Sequence, residues 1–179
     1  MSELKPGHLS LIRGPLRPYA RFLMTLDTAA GWLIVGLISV MVIVVSVQVL
    51  LRYAVNSSLG WADEVSRLTF VWSMFLAIPL GIRAGVHIGI EVVTARLPEG
   101  ARDALARAMA AIATALMILV TWQSVVVAFD QWDEKMASLE ASAAWFIVAV
   151  AVGCAHSALH LILIVLDGRP AQSLTVATE

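Results

Sequence analysis

Three stretches of this chain contain no Asp, Glu, Lys or Arg: Thr28 to Leu51, Ala108 to Phe129 and Ala141 to Leu166. At a rise of about 1.5 Å per residue, about 20 apolar residues cross a roughly 30 Å hydrocarbon layer, so each stretch predicts a membrane-spanning helix. The whole chain is 60% hydrophobic and 14% charged, against roughly 45–50% and 25% in soluble domains, which excludes an ordinary soluble fold. Twelve basic and thirteen acidic residues leave a net charge of -1. No basic patch stands out for nucleic acid, so no nucleic-acid partner is expected. The single cysteine, Cys154, lies in an apolar run, excluding an intrachain disulfide and any site built from several thiolates.

A fourth stretch, Leu68 to Ile82, is shorter and covers only about 22 Å as a helix. It becomes a span if the helix begins near Trp61, which places Asp63 and Glu64 in the first turn, where a helix N-terminus favours negative charge. The turn-like Asn56 to Gly60 precedes it. The expectation is therefore an all-α membrane protein of four helices (28–51, 61–83, 108–129 and 141–166). The 1–27 segment before the 28–167 membrane domain is partly interfacial, and the 168–179 tail is loose. Short amphipathic surface helices are expected over Tyr19 to Leu26 and Glu99 to Arg107. The first apolar run is too long for a removable signal peptide and reads as a retained span.

Orientation follows from the basic residues. Lys5, Arg13, Arg17, Arg21, Arg83, Arg96, Arg102, Arg107 and Arg169 fall on one side; Arg52, Arg67 and Lys135 fall on the other. The positive side is cytoplasmic, so both termini are expected inside. Trp32, Trp61, Trp132 and Trp145 fall near span ends as an interfacial belt, and Trp72 and Trp122 fall deeper, as packing residues.

Most polar residues are concentrated between Arg52 and Glu91. Arg52 and Tyr53 either snorkel at the outer surface or lock spans one and two through an Arg52 pair with Asp63 or Glu64. Both acids are also within helical reach of Arg67. Glu64 is a cap, a partner contact or a proton site. Ala77, Gly81, Gly85 and Gly89 recur every fourth residue and predict a strip open to close backbone approach. Pro79 frees the carbonyl of Phe75 and predicts a kink. Arg83 and His87 suit a phospholipid phosphate at the inner face, or snorkelling.

His87 and Glu91 make only half of a metal site, so no metal is expected there. His156 and His160 share one face of span four. Haem ligation would need a facing histidine, which spans one to three lack, so a hydrogen bond to a neighbouring helix is the expected role. There is no nucleophile triad, phosphate loop or buried carboxylate pair, so the chain is not expected to be an enzyme, and no cofactor is expected on it. The apolar midplane is underequipped for a self-sufficient transporter. That points to an accessory role beside a larger membrane protein. The alternatives are a four-helix haem b anchor and a small homo-oligomeric transporter.

Arg52-Tyr53, Asn56, Trp61 with Glu64, Trp72, Gly81, Arg83 and His87-Ile88 stand in the order and spacing of a known signature. The run resembles the small membrane subunit of tripartite ATP-independent periplasmic (TRAP) transporters, the DctQ-like family, and the likeness extends more weakly from Leu26 to Gly168. The resemblance implies an inner-membrane scaffold subunit pairing as a heterodimer with a large multi-span permease. That partner would hold the sodium and substrate sites, and a periplasmic substrate-binding protein would deliver an organic acid for symport. It singles out Arg52, Trp61, Glu64, Trp72, Arg83 and His87 as the positions that matter.

Overall fold

The computed structural model describes residues 16–57, 59–84 and 99–167. They form four helices: α1 (Arg17–Ala54), α2 (Ala62–Arg83), α3 (Glu99–Asp130) and α4 (Ala144–Asp167). All four are long and apolar enough to cross a membrane. The protein is thus an all-α, multi-pass membrane protein.

Three helix starts differ from expectation by more than one residue. The segments read as separate surface helices, Tyr19 to Leu26 and Glu99 to Arg107, are continuous with the spans that follow them. Neither junction contains a proline or glycine to interrupt the hydrogen-bond ladder. Pro18 sits in the first turn of α1, where its missing N–H costs nothing. The start of α4 moves the other way, from 141 to Ala144. Residues before it pair with the segment that follows α3 in a hairpin-like loop: Met136 N–H donates to the Ala141 carbonyl at 2.9 Å and Ala143 N–H to that of Glu134 at 2.8 Å. The Ser142 hydroxyl then accepts the Ala144 N–H at 3.1 Å, capping the new helix.

The helices are arranged with α2 and α4 at the centre, α1 on α2 and α3 on α4; α1 touches α4 more lightly. Half of the most apolar window of α4 is buried, and none of that of α1. Instead α1 buries a strip nearer its N-terminus, Ala20, Leu23, Asp27 and Ala30, spaced three, four and three residues apart as one helical face requires. The Tyr19 hydroxyl docks that end by donating to the Leu159 carbonyl of α4 at 2.7 Å.

The α2–α4 contact is built on small residues. A Cβ placed on Gly153 would lie 2.5 Å from the Phe75 carbonyl oxygen and 2.8 Å from the Phe75 Cβ. Pro79, buried inside α2, removes the N–H that would otherwise bond this same carbonyl. The Gly153 hydrogen on that side therefore points at the one oxygen of α2 that the proline leaves free, a Cα–H···O contact that only glycine permits. Ser73 and Ser157 are buried in these two helices and return their hydroxyls to their own backbones, to the Thr69 and Gly153 carbonyls, each at 2.8 Å. This keeps polar atoms satisfied where no water reaches.

Candidate functional site

One end of the bundle holds a buried charge cluster assembled from three helices. Asp27 lies on the buried strip of α1 and is 3% exposed. Its Oδ2 accepts a hydrogen bond from Arg83 Nη1, the last residue of α2, at 3.0 Å. Its Oδ1 lies 2.8 Å from His160 Nε2 and 3.1 Å from His156 Nε2, both on α4. An ionised carboxylate only accepts, so His160 donates from its Nε2–H tautomer. His156 is within reach of the same oxygen but lacks hydrogen-bond geometry, and its Nε2 is buried without a partner. The two imidazoles, four residues apart, stand with ring centroids 5.1 Å apart.

The hydrogen bond expected of the histidines thus reaches α1, and its partner is an acid. In the sequence Asp27 stands at the boundary of span one, immediately before the uncharged run Thr28 to Leu51. Its place on the strip with Ala20, Leu23 and Ala30 was the available signal that it faces inward. Arg83 meets this carboxylate while its side chain stays 38% exposed. His87, Gly85, Gly89 and Glu91 lie outside the described residues.

At the opposite end, Glu64 is buried in the first turn of α2, and both carboxylate oxygens lie 3.0 Å from the Ser138 N–H in the α3–α4 loop. The N–H groups of Ala137 and Leu139 are turned toward it as well. Successive N–H groups of this kind form a concave anion cradle. The ion pairs open to Arg52, as the alternative to snorkelling, and to Arg67 with Asp63 or Glu64 do not form among the described residues. Asp63 instead accepts from Gln48 Nε2 of α1 at 3.0 Å, and Glu64 is engaged by the loop. Helix α2 has no side-chain cap, with Trp61 at the capping position. Tyr53 and Trp61 are exposed.

Asn56 ends α1 with φ 54, a left-handed conformation that asparagine tolerates better than other side chains. Trp72 donates its indole N–H to the Trp145 carbonyl at 3.2 Å and stacks beside that ring, which also meets Trp132. Trp122 is not a packing residue within this chain: it projects from α3, 71% exposed. Ala77 is exposed, and a Cβ on Gly81 would meet nothing within 4 Å. The close helix approach within the chain is made by Gly153, which a search for repeated small residues passes over because its partner is a backbone atom of another helix.

Cutting the Glu64 tether should release the outer loop without unfolding the bundle. In Glu64→Ala, amide hydrogen exchange over Ala137 to Leu139 is expected to rise about tenfold or more, as for local opening, while the α4 core amides stay protected. Unchanged exchange at the loop would show that the carboxylate does not hold it.

Residues 41–169 match the profile of the family "Tripartite ATP-independent periplasmic transporters, DctQ component". A Haemophilus influenzae protein described as a TRAP transporter small permease is 31% identical over 83 residues, covering 46% of this chain and 50% of that one. The C4-dicarboxylate TRAP transporter small permease protein of Vibrio cholerae is 27% identical over 94 residues, 52% of this chain and 40% of its own. The chain therefore spans half or less of the length of these two relatives. The sialic acid TRAP transporter small permease protein of Vibrio cholerae is 24% identical over 124 residues, covering 66% of this chain and 69% of the relative. These relatives are transporter subunits, not enzymes. With four membrane-spanning helices and a profile match over most of its length, the chain belongs to the DctQ family of TRAP transporter small permease subunits.

Proposed function

We propose that this chain is the accessory subunit of a sodium-coupled, binding-protein-dependent symporter for an organic acid. It sits in the bacterial inner membrane with both termini in the cytoplasm and forms a heterodimer with a large multi-span permease. That partner holds the sodium and substrate sites, and a periplasmic substrate-binding protein delivers the substrate. One observation carries the reading: the buried acids are engaged within the chain, Asp27 by Arg83 and His160 and Glu64 by the Ser138 amide. Neither carboxylate stands free as the open all-oxygen site that a coupling sodium ion or a transported substrate would need. Two relatives are named for C4-dicarboxylates and for sialic acid, both carboxylates, which supports the organic-acid class, and another is named for ectoine.

The exposed apolar faces of α1 and α3, with Trp122, Leu119 and Phe129 on α3, suit lipid tails or a partner helix equally in polarity. The small strip of Ala77 and Gly81 is the place for closer approach. Arg52, Tyr53, Trp61, Asp63 and Arg67 would meet the partner or the docked binding protein at the outer end. The exposed part of Arg83, with His87, would hold a phospholipid phosphate or the large subunit at the inner end. Gentle detergent extraction of the affinity-tagged chain from native membranes is expected to recover a much larger multi-span protein in fixed ratio. Recovery of the chain alone would overturn the accessory reading. A haem band in a reduced-minus-oxidised spectrum, or transport by the chain reconstituted alone, would do so as well.

A further inference from the structure

We propose that Asp27, His156 and His160 bind a divalent transition-metal ion of the zinc class, clasping α1 to α4. The donor atoms of the three residues all lie within 4.8 Å of one another. Zinc takes nitrogen and oxygen ligands at about 2.0–2.2 Å in a tetrahedron, which sets neighbouring ligand atoms roughly 3.3 Å apart. Oδ1 of Asp27 stands 2.8 Å and 3.1 Å from the two histidine nitrogens, so these two edges need to widen by only a few tenths of an ångström, and His160 takes its Nδ1–H tautomer so that the Nε2 lone pair, instead of a proton, faces the ion.

The unpartnered nitrogen is the second and independent observation. His156 is 8% exposed, and its Nε2 lies 3.1 Å from Asp27 Oδ1 without the angle of a well-formed hydrogen bond. Buried polar atoms in folded proteins nearly always have a partner, and a metal ion supplies one where a second hydrogen bond to the same oxygen fails on geometry. The four-residue spacing sends both imidazoles to the same side of α4. Arg83 holds the far carboxylate oxygen, Oδ2, which orients Oδ1 toward the histidines as outer-shell partners of metal-binding carboxylates do.

The donor chemistry selects the ion. Two imidazole nitrogens and one carboxylate oxygen suit zinc, cobalt, nickel or copper, whereas sodium and magnesium prefer all-oxygen sets. Three protein ligands leave a fourth position for water or hydroxide. The partial exposure of Arg83 at the end of the bundle provides the approach from solvent.

The test uses the full chain in detergent, freed of metal by chelation and titrated with Co(II), then with Zn(II). About one Co(II) per chain is expected, with the intense visible bands of tetrahedral cobalt, which Zn(II) displaces. His156→Gln should weaken Co(II) binding by at least the roughly tenfold that even outer-shell losses cause. His156 Nε2 makes no well-formed hydrogen bond, so this variant removes a ligand at little cost to the packing. Weak, octahedral-type bands in the wild-type protein would overturn the proposal, and that result needs no variant. Equal Co(II) affinity in wild type and His156→Gln would overturn it too. Neither readout depends on transport or on the large subunit.

Discussion

Asp27→Asn is expected to lower the thermal stability of the detergent-solubilised chain more than any other single polar substitution. Loss of charge at this position leaves Arg83 without its counter-ion and His160 with a weaker acceptor. Interhelical hydrogen bonds within membranes average only about 0.6 kcal/mol, whereas breaking a buried ion pair in proteins costs about 3–5 kcal/mol. Arg83 is partly exposed and turns to water when abandoned, so the cost falls between these limits, at about 2 kcal/mol. The decisive form is a double-mutant cycle with Arg83→Gln. The two losses should be less than additive, with a coupling of about 1 kcal/mol or more, as for residues in one buried network. Strict additivity would mean that the ion pair does not hold α1 to α2.

Substitution of Gly153 is expected to produce the other large effect, through sterics. A methyl group there would enter the space of the Phe75 backbone, and backbone atoms within a helix cannot turn aside as a flexible side chain does. Gly153→Ala should therefore cost about 1–3 kcal/mol, the range of overpacked cores, and Gly153→Leu should prevent α2 and α4 from closing. Gly81→Ala is the control, because its Cβ would meet nothing within 4 Å. Thermal unfolding of the isolated chain should leave Gly81→Ala within about 0.5 kcal/mol of wild type. A Gly153→Ala protein as stable as wild type would show that the helices slide apart at little cost. Loss of the large subunit from Gly81→Ala during purification, with stability intact, would assign the small strip to the partner interface.

Much of the architecture was legible because a bilayer imposes one-dimensional rules. A run such as Thr28 to Leu51 without charge has to be helical and has to cross, and Asn56 with Gly60 marks the turn before the next span. The family was legible from the spacing of Arg52, Trp61, Glu64, Trp72, Gly81 and Arg83, and the match over residues 41–169 agrees. The roles of these residues were less legible. Glu64 sits where a helix N-terminus welcomes an acid, yet its partner is Ser138, 74 positions away. No periodicity within α2 encodes that meeting. Arg83 pairs with Asp27 across 56 positions, so a reading confined to its own helix sees only an arginine at an interface.

The sequence alone determined the number of spans and the polar content of their ends, since hydrocarbon penalises every unpaired charge and every open backbone group wherever the helix comes to lie. Tertiary structure decided which charges meet. Asp27, Arg83, His156 and His160 come together because α4 packs into the centre beside α2 and α1 lays its Ala20 to Ala30 strip against them. That arrangement depends on a close approach at Gly153 to a carbonyl freed by Pro79. The fit between helices far apart in the chain is a property of shape, and hydropathy, which averages over all directions around a helix, does not contain it.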